Sequence, residues 1–291
     1  MGENPSLSDP DGKHVREALS RLEFFVVQDI FLTETAQLAD VVLPACSFAE
    51  KDGTFTNTER RVQRVRKAIA PVGDSRPDWW IICQIAQRMG AKGFDFENPS
   101  RIMEEIARLT PSYGGISYNR LENSSLQWPC PTEEHPGTAI LHTAIFSRGK
   151  GRFMPLSYKP PAETPDAEYP LVLTTNRSLF QYHTGTMTRK VKGLNIFRKE
   201  ELVAINPADA KSLDIFDGEM VRVVSRRGAV TARALVTDSS PEGTIAMTFH
   251  FAESPTNELT NPAYDPVAMT PELKVSAVRV EKVRQAAASG V

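Results

Sequence analysis

The sequence predicts an α/β plus β protein: a partial doubly wound parallel α/β domain followed by a small closed or partly closed β-barrel. Three observations predict it. Two short continuous apolar runs, 24–27 (Phe24, Phe25, Val26, Val27) and 40–44 (Asp40, Val41, Val42, Leu43, Pro44), have the character of strands covered on both faces in a parallel sheet. They alternate with short helix-spaced segments, the rhythm of a doubly wound sheet. From Tyr169 onward the texture changes to six short strand candidates with few helices and many turn signals, which suits a small barrel.

In chain order, residues 1–5 read as the loop that follows a strand, although no strand precedes them. The chain is therefore expected to start inside the α/β domain, with its first strands missing. Residues 14–22 have helical spacing (Val15, Ala18, Leu19, Leu22). Gln28 and Asp29 end the first strand, and residues 33–40 form a second short helix. Residues 50–53 are a turn. Residues 54–65 read as irregular or extended chain ending in a basic run (Arg60, Arg61, Arg64, Arg66, Lys67) that suits a solvated face. Asp74 or Ser75 is placed to cap the next helix, with Pro77 in its first turn and Gly90 as its stop. Residues 100–109 are another helix.

Between 110 and 167 the pattern is lost and proline is dense, with only 138–145 and 152–156 strand-like. This reads as a proline-rich surface connection. The domains expected are thus 1–109, 110–167 and 168–291. Barrel strands are expected at 169–173, 202–205, 220–225, 230–236, 244–248 and 276–280. Asn206 and Pro207 open a one-to-two-turn helix, and turns fall at Gly218, Gly228 and Gly243.

Composition excludes several classes. The 291 residues suit about two domains. A net charge of −2 gives no general attraction to nucleic acid or an anionic membrane. Cys46, Cys83 and Cys130 are far apart with no C-x-x-C pair, so this chain alone offers neither zinc-ribbon nor iron–sulfur ligands. Their odd number suits reduced thiols in a cytoplasmic protein. No apolar run reaches the length of a membrane span, and residues 1–14 lack a signal peptide's apolar core. His14, His135, His142 and His250 show no metal spacing and are read as structural.

The stretch 171–190, LVLTTNRSLFQYHTGTMTRK, is the strongest candidate site. A short strand runs into a loop crowded with hydroxyls, amides and a guanidinium, groups that suit the phosphates and polar edges of an anionic cofactor. Local composition suits a solvated loop equally well. Gln28 and Asp29 lie where ligands of open α/β sheets bind. Asp29 can accept both N–H groups of guanine's pairing edge, or cap a helix. Asn4 either lines the same crevice or serves its turn. Asp78 either bonds a ligand or favours a helix's positive end.

Several motifs together resemble one family: MGENP, VVQDIFLTETAQLADVVLPA, EKDGTFTNTERRVQ, SRPDWW, TTNRSLFQYHTGTMTR, AINPADAKSLDIFDGEMVRVVSRRG and the NELT…ELKVSAVRV tail. They resemble the bis(molybdopterin guanine dinucleotide) oxidoreductases, or dimethyl sulfoxide reductase family, and within it the α subunits of cytoplasmic formate dehydrogenases. The resemblance implies the C-terminal part of such a subunit, its second domain a double-psi-type β-barrel cap. The cofactor would be bis(molybdopterin guanine dinucleotide) with molybdenum or tungsten, shared with an N-terminal part that supplies the metal ligand and iron–sulfur cysteines. Implied cofactor contacts are Asn4, Gln28, Asp29, Lys51, Asp78, the run Thr175, Asn176, Arg177, Ser178, Leu179, Phe180, Gln181, Tyr182, His183 and Thr184, and then Phe249, Asn257 and Lys274. No catalytic or metal-ligating residue is implied in this chain. Gln181 departs from a histidine of some members. Glu50, Asn57, Glu59, Arg60, Arg61 and Gln63 would fix their segment by salt bridges.

The intact subunit would oxidise formate to carbon dioxide and pass electrons through iron–sulfur clusters to NAD. Its partners would be the N-terminal part and iron–sulfur or NAD-linked subunits, with no nucleic acid and no membrane span. The chain alone is expected to be inactive. Other readings are a non-catalytic cofactor-binding or assembly module, and the equivalent part of a nitrate reductase or of the large iron–sulfur subunit of complex I.

Overall fold

The computed structural model describes residues 1–283. In chain order its main elements are α1 (Pro5–Ser8), α2 (Gly12–Leu19), β1 (Val26–Asp29), β2 (Val41–Pro44), β3 (Gly53–Thr56), β4 (Arg61–Val65), α3 (Asp78–Arg88), α4 (Pro99–Leu109), α5 (Tyr118–Leu121), β5 (Leu126–Gln127), β6 (Leu171–Thr175), α6 (Lys192–Phe197), β7 (Leu202–Ile205), α7 (Pro207–Ser212), β8 (Met220–Val224), β9 (Ala229–Val236), β10 (Thr244–Met247) and β11 (Ser276–Lys282). The chain divides into two compact units. One comprises Met1–Val27, Phe31–Val42 and the chain from Tyr158 onward; the other comprises Gln28–Ile30 and Leu43–Ser157.

The first unit is built on a closed six-stranded barrel in the order β10-β6-β11-β8-β9-β7, with β7 pairing back to β10. The pairs β6–β10 and β7–β9 are parallel and the others antiparallel. Closure follows from the alternation within each strand. In β9, Val230, Ala232 and Ala234 point inward while their neighbours point out. Leu173, Val203, Ile205, Val221, Val223 and Ile245 are fully buried inside. Each such side chain contributes about 1.5–3 kcal/mol by leaving water. The six strands lie where the sequence places them, with ends shifted by one or two residues. Asn206 accepts from the Ala208 N–H and so opens α7 as expected.

The N-terminal helices belong to this unit and are tied to the segment after β10. The Asn257 amide donates to the Leu7 and Ser8 carbonyls, Arg16 pairs with Glu258, and the Asp11 N–H donates to the Thr260 carbonyl.

β1 and β2 form a two-stranded sheet. The Asp40 and Val41 N–H groups donate to Phe25 and the Ala45 N–H to Asp29, so the bonds advance in the parallel sense. The double-sided cover expected of these runs is not supplied by the described residues. Phe24, Val26, Val41 and Val42 are all exposed. The second helix expected at 33–40 is a single 3-10 turn, Ala36–Leu38.

The second unit contains the antiparallel sheet β3-β4-β5 and helices α3 to α5. Its core is Val62, Met103, Ile116, Leu121, Leu126 and Cys130. Ile116 to Cys130 thus belong to a packed core, where the sequence suggested surface connection. The one-turn α5 and two-residue β5 are too short to show a period. Residues 54–65, expected irregular or extended, form the β3–β4 hairpin. The charged cluster there bonds internally: Arg60 donates to the Trp128, Thr138 and Ala139 carbonyls, and Arg61 pairs with Glu59. Helix α3 begins after Pro77, so neither Asp74 nor Ser75 caps it, and Gly90 at φ +80° follows its end. Among the described residues no strand forms at 138–145 or 152–156, stretches that are largely exposed.

Candidate functional site

The candidate loop leaves the barrel at the end of β6. The Thr175 hydroxyl donates to the Leu273 carbonyl at 2.9 Å, and the Lys274 ammonium donates to the Thr175 carbonyl. The Asn176 N–H donates to the Met247 carbonyl at 2.7 Å. These bonds hold the root of the loop between β10 and the approach to β11.

Beyond the root the loop sorts its side chains. Thr175, Gln181 and Thr184 are buried, while Asn176, Arg177, Leu179 and Tyr182 face solvent. The Gln181 amide donates to Asn195 Oδ1 at 3.1 Å and to the Arg198 carbonyl at 2.9 Å, and accepts from the Thr188 hydroxyl at 2.7 Å. Phe180 stacks on Phe197 with ring centres 4.7 Å apart. The Arg177 guanidinium lies 4.7 Å from the centre of buried Phe249, and His183 meets the same ring edge-on at 5.5 Å. Gly185 adopts φ +73°, and a Cβ there would lie 2.4 Å from the His250 carbonyl oxygen. Only glycine allows that approach.

Charged and titratable groups behind the loop complete it. His250 is fully buried; it accepts from the Ser178 N–H and bonds the His183 carbonyl. Burial pushes its pKa down, the bond to the His183 carbonyl pulls it partly back up, and Arg177, Arg198 and the His183 imidazole act with burial. Glu201 accepts from the Thr248 N–H and hydroxyl and lies 3.6 Å from Arg198. Burial pushes its carboxyl up, and these partners pull it back only in part. Arg189 grips Glu253 through two hydrogen bonds, and this ion pair holds the Glu253 carboxyl below its usual range.

Two further candidates in this unit turn inward. The Asn4 amide nitrogen donates to Glu34 at 2.8 Å and to Thr186 at 3.4 Å, and its oxygen accepts from the Thr35 N–H and hydroxyl. Asn257 is buried, with its amide nitrogen spent on Leu7 and Ser8 and its Oδ1 without a protein partner.

The second unit brings Gln28, Lys51 and Asp78 together. The Gln28 amide donates to Asp78 Oδ1 at 2.8 Å, and the Lys51 ammonium pairs with Asp78 Oδ2. Asp29 follows Gln28 at the end of β1, partly exposed. The array offers an ammonium and a carboxylate side by side, suited to a ligand carrying both anionic groups and N–H donors.

Residue pattern alone missed Glu201, Gly185, Asn195 and Arg198, and read His250 only as structural. A glycine inside Thr-Gly-Thr was the available signal for Gly185. A histidine between two phenylalanines was the signal for burial of His250. Glu201 gave none. Among the described residues no group of three or more His, Cys, Asp or Glu could hold a metal ion.

Two family profiles match this chain. Molybdopterin oxidoreductase covers residues 1–88, and the molydopterin dinucleotide binding domain covers residues 171–277. The chain thus carries stretches of the molybdopterin oxidoreductase and molydopterin dinucleotide binding domains. The first match spans Asn4, Gln28, Asp29, Lys51 and Asp78; the second spans the loop with Phe249, Asn257 and Lys274. The chain is 54% identical to the F420-dependent formate dehydrogenase 2 subunit alpha of Methanococcus maripaludis, over 97% of this chain and 42% of that protein. It is 38% identical to formate dehydrogenase H of Escherichia coli, over 97% of this chain and 40% of that one. It is also 38% identical to the assimilatory nitrate reductase catalytic subunit of Bacillus subtilis, over 96% of this chain and 41% of that protein. The chain thus spans well under half the length of these relatives. Acetylene hydratase from Pelobacter acetylenicus shares the fold, with a TM-score of 0.75 over 97% of this chain and 44% of that one at 20% identity.

Proposed function

We propose that this chain is the cofactor-holding part of a molybdenum or tungsten formate dehydrogenase alpha subunit, binding the pterin and guanine dinucleotide of bis(molybdopterin guanine dinucleotide). The observation that carries the reading is the 54% identity, over 97% of this chain, to a formate dehydrogenase alpha subunit. The donor sets fit the group. Asn176, Arg177 and Tyr182 present polar heads on the outer side of a loop whose inner side is fully bonded. Gln28, Asp29, Lys51 and Asp78 supply donors and acceptors suited to guanosine and ribose. Asn4 and Gln181 act behind this surface, since their amides are spent on protein partners, while Asn257 keeps its buried Oδ1 for a ligand.

When bound, the cofactor would supply the two-electron redox chemistry of formate oxidation. This chain's residues bind and orient the dinucleotide: Arg177 meets anionic oxygens, and Tyr182 and His183 flank the pterin. Metal ligation and the iron–sulfur path fall to other parts of the subunit, which is cytoplasmic on this reading. The F420 dependence of the methanogen relative favours F420 as electron acceptor over the NAD expected above. Assay of the assembled enzyme with formate against F420, NAD and nitrate separates these readings. Formate-dependent F420 reduction supports the proposal; nitrate reduction without formate oxidation overturns it.

A further inference from the structure

We infer that His250 is the positioning residue that fixes residues 178–183 in their ligand-facing arrangement, and that it does so only as the neutral Nδ1–H tautomer; the inference rests on the cofactor reading above. The geometry leaves one arrangement of hydrogens. Ser178 presents a backbone N–H, which can only donate, 2.9 Å from Nε2. His183 presents a backbone carbonyl, which can only accept, at Nδ1. Nε2 must therefore carry the lone pair and Nδ1 the proton. A second proton would set two donors face to face at Ser178 in a fully buried site.

Against the pull of the His183 carbonyl, burial and the neighbouring positive charges keep the ring neutral. From the loop, Arg177 and the His183 imidazole face the ring, and Arg198 faces it from the segment before β7; an added positive charge is unfavourable beside each. The nearby carboxylates are engaged elsewhere, Glu253 with Arg189 and Glu201 with Thr248. One imidazole thus clamps both ends of the span that carries Ser178, Tyr182 and His183. The His250 backbone carbonyl also packs under Gly185. A loop held in its binding shape in advance loses less freedom when a ligand arrives.

The test uses the full 291-residue chain and two variants that divide the ring's duties. In His250→Asn the amide nitrogen stands where Nδ1 stood, so the bond to His183 survives and the acceptor for Ser178 is lost. In His250→Gln the amide oxygen stands where Nε2 stood, and the reverse holds. Amide hydrogen exchange and calorimetric binding of GDP, which carries the guanosine diphosphate portion of the dinucleotide, are measured on all three. His250→Asn is expected to speed Ser178 exchange and to weaken GDP binding by about tenfold each, the scale of one lost hydrogen bond. Amides inside the barrel should keep their rates, and His250→Gln should keep Ser178 protected. Unchanged Ser178 exchange in His250→Asn overturns the inference. So does lost protection with GDP affinity unchanged, and this second result leaves the cofactor reading standing. A wild-type chain that does not bind GDP overturns the cofactor reading and not the clamp, for which loss of Ser178 protection specific to His250→Asn is the supporting result. Should a variant fail to fold, 15N spectra of the wild-type ring from about pH 5.5 to 8, a range that brackets a free histidine, decide the matter. A protonated Nδ1 with bare Nε2 throughout supports the inference; an Nε2–H tautomer or titration within the range overturns it.

Discussion

Replacing Gly185 with alanine tests how the loop is seated on the barrel. The residue stands at φ +73°, where an L side chain costs about 1–2 kcal/mol. The new Cβ would lie 2.4 Å from the His250 carbonyl oxygen and 2.7 Å and 2.9 Å from the Arg189 side chain. Arg189 can swing aside at the cost of its grip on Glu253. The carbonyl cannot yield without moving the segment after β10, by about 1 Å to restore ordinary contact. Strain and overpacking together come to about 2–5 kcal/mol. The loop's own turn is also loaded, since the Gly185 N–H donates to Tyr182 at 2.8 Å and its carbonyl accepts from the Arg189 N–H at 2.9 Å. The chain can escape this strain by releasing the loop, so the loss of global stability is the smaller of the strain and the cost of undocking. Urea unfolding should show that loss, and hydrogen exchange should show Ser178 and Gly185 exposed while the barrel amides stay protected. A variant within about 0.5 kcal/mol of wild type, with Ser178 exchange unchanged, would refute the reasoning.

Leu173→Ala, inside the barrel and fully buried, should cost about 2–5 kcal/mol in urea unfolding. Stability should fall with acid through His250: its folded pKa lies below the unfolded value of about 6.5, so its contribution is complete above that pH and is lost as pH drops from there toward the folded value. The slope of stability against pH between about 5 and 6.5 should therefore be shallower in His250→Asn, by up to about 1.4 kcal/mol per unit. Glu201 acts in the opposite sense, because its folded carboxyl is raised; the folded state takes up that proton first, and Glu201→Gln should remove a gain in stability on acidification. Lys51→Met leaves the partly exposed Asp78 carboxylate with Gln28 and no cation, and should cost about 0.5–1.5 kcal/mol in the urea unfolding of the second unit.

The barrel was legible because its strands carry their own signals. Ile245 and Val203 sit in short β-branched runs, and turns fall at Gly218 and Gly243 with positive φ. The core around Ile116, Leu121 and Cys130 was not legible, because it is assembled from one-turn and two-residue elements whose burial is set by distant partners. In the site, the donor-rich composition of the loop was visible while its sorting was not. Which of Gln181 and Tyr182 faces inward depends on Asn195 and Arg198, more than ten residues away. The same holds for Asn257, whose amide nitrogen is taken by the carbonyls of α1 while its oxygen is left without a protein partner. The apolar runs of β1 and β2 were read correctly as strands, but their exposure depends on what lies against them and not on their own residues.

The central claim is that this chain holds a pterin guanine dinucleotide. The most direct measurement is analysis of the protein purified with its native assembly, for molybdenum or tungsten and for GMP released by acid hydrolysis, beside an assembly carrying Arg177→Ala with Asp78→Asn. The account predicts guanine nucleotide and metal in constant proportion in the native protein and a severalfold loss of both in the double variant. Native protein without guanine nucleotide, or a double variant that retains its full complement, would contradict it.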